Sequence, residues 1–107
     1  MLRFLIFTFL SLLLSLSAFS QRGVIKGTVK DASNGEPVPF ANVVLLEGDS
    51  EVDGATTDFN GNYTIKDIHP GEYNLSASFV GYQTQKITGL VVAADKITFY
   101  DFKMSSG

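Results

Sequence analysis

The sequence predicts an all-β fold: a sandwich of seven short antiparallel strands. Three observations predict it. Apolar residues recur at every second position in several segments, the period of a strand with one buried face. Clusters of Gly, Asn, Asp and Pro punctuate the chain between those segments, as turns do. No stretch after residue 20 carries the 3.6-residue period of a helix.

The first twenty residues stand apart. Arg3 supplies a basic start, Phe4 to Leu14 is almost wholly apolar, and Ala18-Phe19-Ser20 places small residues around a cleavage point before Gln21. That is the pattern of a secretory signal peptide. A spanning helix needs about 20 apolar residues, and this run is interrupted by Thr8, Ser11, Ser15 and Ser17. No cysteine follows, which excludes a lipoprotein anchor. The expected organisation is a signal peptide at 1–20, then one β-sandwich domain at 21–107 with no transmembrane span.

The 107 residues carry a net charge of −3, and loss of Arg3 makes it −4. A mildly acidic domain without a basic patch argues against nucleic acid and anionic membrane surfaces as partners. With no cysteine there is no disulfide and no thiolate metal site. An exported domain without disulfides suits a bacterial periplasm or cell surface. A chain this short buries only about 60–65% of its unfolded surface, so modest stability is expected.

Taken in order, Gly23 to Lys30 is the first strand, with Ile25, Gly27 and Val29 on its inward face. Gly27, small and inward, marks a close approach of neighbouring backbone. Asp31 to Pro37 is a loop turning at Asn34-Gly35, and Pro37 and Pro39 forbid a helix. Phe40 to Leu46 is the second strand: Ala41, Val43 and Leu45 point in, while Val44 and Leu46 suggest cover on the other face too. Glu47 to Asp53 reads as an acidic loop and Ala55 to Thr57 as a short third strand. Asp58, Asn60, Gly61 and Asn62 form a tight turn, with Gly61 at positive φ. Asn62 to Ile68 is the fourth strand. His69-Pro70-Gly71 reads as a type II turn with Gly71 at positive φ. In Glu72 to Phe79 the alternation is unbroken, with Tyr73, Leu75, Ala77 and Phe79 inward. Gln83 to Val92 follows, with a bulge or a bend expected at Gly89. Ile97 to Met104 closes the fold, with Tyr100, Phe102 and Met104 on one face.

Five blocks of this chain, in order, resemble the carboxypeptidase regulatory-like domain. They are Gly27-Thr-Val-Lys-Asp31, Gly35-x-Pro-x-x-x-Ala-x-Val43, Thr57-Asp-x-x-Gly-x-Tyr-x-Ile65, Gly71-x-Tyr-x-Leu through Phe79-x-Gly-Tyr82, and Asp101-Phe-x-Met104. The usual Gly-Thr pair before the Thr-Asp turn is Gly54-Ala55 here. The resemblance implies a seven-stranded antiparallel Greek-key β-sandwich of the transthyretin (prealbumin), Ig-like type. It also implies a setting. The family is widespread in secreted proteins of Bacteroidetes-type bacteria, commonly just after the signal peptide of TonB-dependent outer-membrane transporters, including those for glycans. The zinc-bearing catalytic domain of the carboxypeptidases themselves is a separate domain and is absent.

The residues offer little catalytic chemistry. The sole histidine, His69, sits in a turn; alone it makes neither a triad nor a three-ligand zinc site. No catalytic or cofactor-binding residue and no required cofactor is expected. Weak calcium candidates are the acidic run Glu47, Asp49, Glu51 and Asp53, and Asp58 with Asn60 and Asn62. The second set has oxygen-ligand spacing, but Tyr63 stands where a calcium loop needs glycine and His69 where it needs an acid. The plainer reading of Asp58, Asn60 and Gly61 is a structural turn. Tyr82 and Phe99 lie off the inward pattern or at a strand end and are the candidate contact aromatics. The expected function is a non-catalytic module of an exported protein: the periplasmic N-terminal domain, or a fragment, of a TonB-dependent receptor. Its expected partner is another protein or the remainder of an outer-membrane protein. The alternative is a standalone secreted module that binds carbohydrate or protein.

Overall fold

The computed structural model describes residues 21–107, so the signal-peptide assignment at 1–20 lies outside the described residues. Eight strands follow one another: β1 (Gly23–Asp31), β2 (Asn42–Glu47), β3 (Ser50–Thr56), β4 (Asn62–Ile68), β5 (Gly71–Ser78), β6 (Gln85–Val92), β7 (Ile97–Phe99) and β8 (Phe102–Met104). They form two four-stranded sheets. One has the order β4-β1-β7 with β8 also on β1; the other is β3-β2-β5-β6. The chain passes between sheets at β1–β2, β3–β4, β4–β5 and β6–β7, giving a Greek-key sandwich.

The fold class matches the expectation, with corrections of detail. β7 and β8 run parallel to β1, whereas every other pairing is antiparallel. The chain reaches β7 by crossing from the other sheet, so it need not reverse beside β1 as a hairpin would. The single closing strand expected over Ile97–Met104 is broken at Tyr100-Asp101. The break faces Gly27-Thr28. There the Tyr100 carbonyl stands 1.6 Å from where a Gly27 Cβ would be. Asp101 Oδ1 accepts hydrogen bonds from the Thr28 amide (2.9 Å) and hydroxyl (3.1 Å) in place of the ladder. Gly27 is therefore the close approach its size suggests.

The third strand is longer than Ala55–Thr57. Glu47 pairs with Ser50 across Gly48-Asp49, so β2 and β3 are a hairpin and all of the expected acidic loop except Gly48-Asp49 is strand. Gly48 takes φ 61° to make that turn. The cost of placing carboxylates in a strand is small here, because β3 is an edge strand open to water.

The core lies between the sheets. Ile25, Val29, Val43, Leu45, Tyr63, Ile65, Tyr73, Leu75 and Phe102 are buried as their alternation requires, joined by Val38, Ala41, Ile68, Ala77, Val92 and Met104. Each large side chain contributes about 1.5–3 kcal/mol of burial free energy before entropy is set against it. Phe79 is the exception. β5 ends at Ser78, so the alternation that carried Tyr73, Leu75 and Ala77 inward stops one residue short of it. Phe79 instead lies 36% exposed, its ring 6.4 Å from that of Tyr82.

Gly89 takes φ 72° where Tyr73 and Leu75 of β5 face Leu90 and Ile87, the expected bulge. The turn at His69-Pro70 is not type II. Gly71 is already the first residue of β5, and the positive φ belongs to Asp67 (57°), in a bulge of β4 opposite Gly23–Ile25. The bulge supplies the change of direction ahead of the turn.

Candidate functional site

The Thr57–Tyr63 turn is built by side chains bonding backbone. Asp58 Oδ1 accepts from the amides of Asn60 and Asn62, both at 2.9 Å, and the Gly61 amide donates to the Asp58 carbonyl at 3.0 Å. Gly61 takes φ 74°, as expected, and its carbonyl accepts from the Val29 amide at 2.7 Å, tying the turn to β1. Asp58, Asn60 and Gly61 thus come together as a structural turn. The Asp58 oxygen with calcium-loop spacing is already held by two backbone amides.

Next to it, Thr57 is buried at 2% exposure. Its hydroxyl donates to the Val38 carbonyl (2.7 Å) and accepts from the Ala41 amide (2.8 Å). The Phe40 amide donates to the Thr57 carbonyl, and the Thr57 amide to the Ala41 carbonyl. This clamp closes the Val38–Ala41 loop so tightly that Phe40 adopts φ 62°, a left-handed conformation costly for an aromatic residue. The Phe40 ring is turned outward, 51% exposed, and packs edge-on against Phe59, itself 78% exposed, at 5.1 Å and 76°. Neither residue was marked by the alternation. The only trace in the sequence is the β-branched hydroxyl residue before the turn.

The acidic run is not gathered. Asp49, in the hairpin turn, lies 3.8 Å from Lys86. Asp53 Oδ1 accepts from the Gly54 amide at 2.8 Å. Glu51 lines a shallow groove on the outer face of the second sheet, while Glu47 and Asp53 line a cleft of about 330 Å³ at the open edge between the sheets. Among the described residues, no three of His, Cys, Asp or Glu are close enough to hold a metal ion. His69 borders the same cleft. Its Nδ1 accepts from Arg22 Nη1 at 3.0 Å, and its carbonyl accepts from the Tyr73 hydroxyl at 2.7 Å.

The two contact aromatics differ. Tyr82 is half-buried, and its hydroxyl donates to Asp31 Oδ2 at 2.8 Å. The Ser33 hydroxyl and amide, helped by Tyr82, hold the Asp31 carboxyl below the ordinary carboxylate value, and Asp31 in turn raises the Tyr82 phenol. Tyr82 is a latch between the two sheets. Phe99 is 70% exposed on the outer face of β7, two residues from the exposed Ile97. Tyr63, by contrast, is buried with its hydroxyl on the Tyr100 carbonyl at 2.6 Å; burial first, then Asp101, pushes its phenol well above the usual value.

The profile of the carboxypeptidase regulatory-like domain matches residues 24–105, the whole sandwich. This chain belongs to that family. The regulatory-like domain is 38% identical over 87 residues to the TonB-dependent receptor SusC of Bacteroides thetaiotaomicron, covering 81% of this chain and 8% of the receptor. It is 33% identical over 63 residues to the TonB-dependent receptor P39 of Formosa agariphila, covering 59% of this chain and 6% of that one. The chain therefore spans less than a tenth of the length of these two relatives. Among solved structures it resembles a Bacteroides uniformis protein inferred to bind carbohydrate, with a TM-score of 0.62 at 19% identity, over 76% of this chain and 40% of that one. A likeness at that identity concerns the fold. In the regulatory-like domain, the Thr57–Ile65 block of the resemblance is thus the clamp and the turn. Its Asp58 and Gly61 build backbone, and its Thr57 sets the pose of Phe40.

Proposed function

We propose that this domain is a non-catalytic module of an exported bacterial protein, the periplasmic N-terminal domain of a TonB-dependent outer-membrane receptor, serving assembly or partner contact. The observation that carries the reading is the 38% identity to SusC across 87 residues. The chemistry is in keeping with it. His69 is engaged by Arg22, the carboxylates of Asp31, Asp53 and Asp58 hold local backbone, and that of Asp101 holds the Thr28 amide of β1. Among the described residues no helix is long and apolar enough to cross a membrane, so on this reading insertion belongs to other parts of the receptor. Residues 1–20 act as the signal peptide and the exported form begins at Gln21.

The test is to read the gene past codon 107 and to fractionate cells. A plug and alternating barrel strands in frame, with the product in the outer membrane and an N-terminus at Gln21, are expected. A stop codon there and a freely secreted product would overturn the proposal.

A second reading, a standalone carbohydrate-binding module, draws on one feature. The outer face of the second sheet carries an open groove of about 450 Å³ bordered by Asn42, Thr56 and Ser78, with Gly54 leaving its floor bare. Amide and hydroxyl groups over a flat strand surface suit sugar hydroxyls. Calorimetry with neutral glycans decides it: binding that Asn42→Ala abolishes supports it, and no heat across a glycan panel removes it.

A further inference from the structure

We infer that the apolar end of the sandwich, made by Phe40, Phe59, Phe79 and Val80, is the docking face for the polypeptide that follows residue 107 in the parent receptor; this rests on the receptor reading above. Asn42 of β2 faces Thr56 on one side and Ser78 on the other. Phe40, Phe59, Phe79 and Val80 all lie just beyond that row, so they share one end of the molecule. They are 51%, 78%, 36% and 90% exposed. Scattered exposed apolar residues are ordinary in a soluble domain, but here Phe40 and Phe59 pack ring against ring in water, with Phe79 and Val80 exposed at the same end.

Two independent features set this end apart from the other exposed apolar residues. The first is construction. The buried Thr57 hydroxyl ties Val38 to Ala41, and the loop between them holds Phe40 at φ 62° with its ring in water. A strained residue persists only where its surroundings over-determine it, and here the strain presents a ring instead of burying one. The second is the path of the chain. The Gln83 amide donates to the Ser105 carbonyl at 2.9 Å, Tyr82 bridges Ser106, and the Gly107 amide donates to the Gly81 carbonyl at 3.1 Å. Residue 107 is pinned beside Val80 and Gly81, so polypeptide continuing from it emerges against the apolar end. The receptor relative is long enough to supply it, since the chain covers 8% of SusC. The apolar pair Ile97 and Phe99, on the outer face of β7, has no such exit beside it.

The chain has no cysteine, so single thiols report cleanly. Phe59→Cys and Val80→Cys are placed in the patch and Phe99→Cys on the outer face of β7. Each is made in this chain alone and in the full-length receptor with any other cysteines replaced, and maleimide labelling rates are compared. The expected result is labelling at positions 59 and 80 slowed about tenfold or more in the receptor, with position 99 unchanged. Equal rates in both settings at 59 and 80 overturn the docking face and leave the receptor reading standing. Protection already present in the isolated chain, and growing with its concentration, gives the patch to a second copy and likewise overturns the inference. A gene with no receptor in frame removes the receptor reading and the inference together.

Discussion

The carbonyl oxygen of Tyr100 stands 1.6 Å from the point a Cβ on Gly27 would occupy. The same carbonyl accepts the Tyr63 hydroxyl at 2.6 Å. One backbone crossing thus explains a glycine in the middle of β1, a buried phenol and the break between β7 and β8. Gly27→Ala should destabilise the domain by about 1–3 kcal/mol or more, because the clash is with backbone. Tyr63→Phe should cost about 1 kcal/mol through the lost hydrogen bond. Urea melts measure both; a Gly27→Ala midpoint equal to the parent's would show that the strands are farther apart than this.

Thr57 is the second test. Thr57→Val keeps the shape but orphans the Val38 carbonyl and the Ala41 amide, each worth on the order of 1–3 kcal/mol when left buried and unpaired. Thr57→Ser retains the hydroxyl and should lose far less. Chemical denaturation of the pair separates the hydroxyl from the methyl group, and equal losses would reject the clamp.

Two glycines at nearly the same φ should respond differently. Gly35 (73°) has open space around it, whereas a Cβ on Gly61 (74°) would meet the Val29 carbonyl at 2.6 Å and Pro37 at 2.9 Å. Gly35→Ala should cost only the left-handed strain, about 1–2 kcal/mol. Gly61→Ala should exceed it, and Gly61→Val more so. The order of the three melting midpoints checks this, and an unchanged Gly61→Val contradicts the turn.

Asp31 makes stability depend on pH. Its folded value is lowered, first by Ser33 and then by Tyr82, below the 3.8 of the free group. Its contribution is therefore present in full above that value and is lost as pH falls through the folded one. The melting-temperature gap between the parent and Asp31→Asn should be widest near neutrality and should shrink in acid. A gap that is flat down to pH 2 would show that the charge is not what matters.

Calcium and chelators should leave the melting temperature unchanged. The acidic run is split between a turn, a strand edge and two faces, and Asp58 Oδ1 is held by two backbone amides. A thermal melt with EDTA and with millimolar calcium is the measurement. A rise of several degrees with calcium would return Glu47–Asp53 or the Asp58 turn to consideration.

Much of the architecture was legible because alternation reports burial directly. Ile25, Val29, Val43, Leu45, Tyr73 and Leu75 are core because every second residue of a strand faces one way. The same rule misplaced Phe79, since periodicity carries no information on where a strand ends. It also passed over Phe40 and Thr57, whose roles arise from a loop clamped by one hydroxyl. Tyr82 looked like a contact residue because it lies past a strand end, but Asp31, far off in sequence, holds it.

By itself the sequence determined the all-β class, the turns at Asn34-Gly35 and Asp58–Asn62, the bulge at Gly89, the close approach at Gly27 and nearly all of the core. These depend on local conformational preference and on the two-residue period, both written along the chain. Only the tertiary structure decided that β7 and β8 run parallel to β1, that Asp67 rather than Gly71 takes the positive φ, that the carboxylates are dispersed, and that Phe40, Phe59, Phe79 and Val80 share one end with residue 107. Those outcomes depend on which distant segments meet, and a contact between segments tens of residues apart leaves no period in either of them.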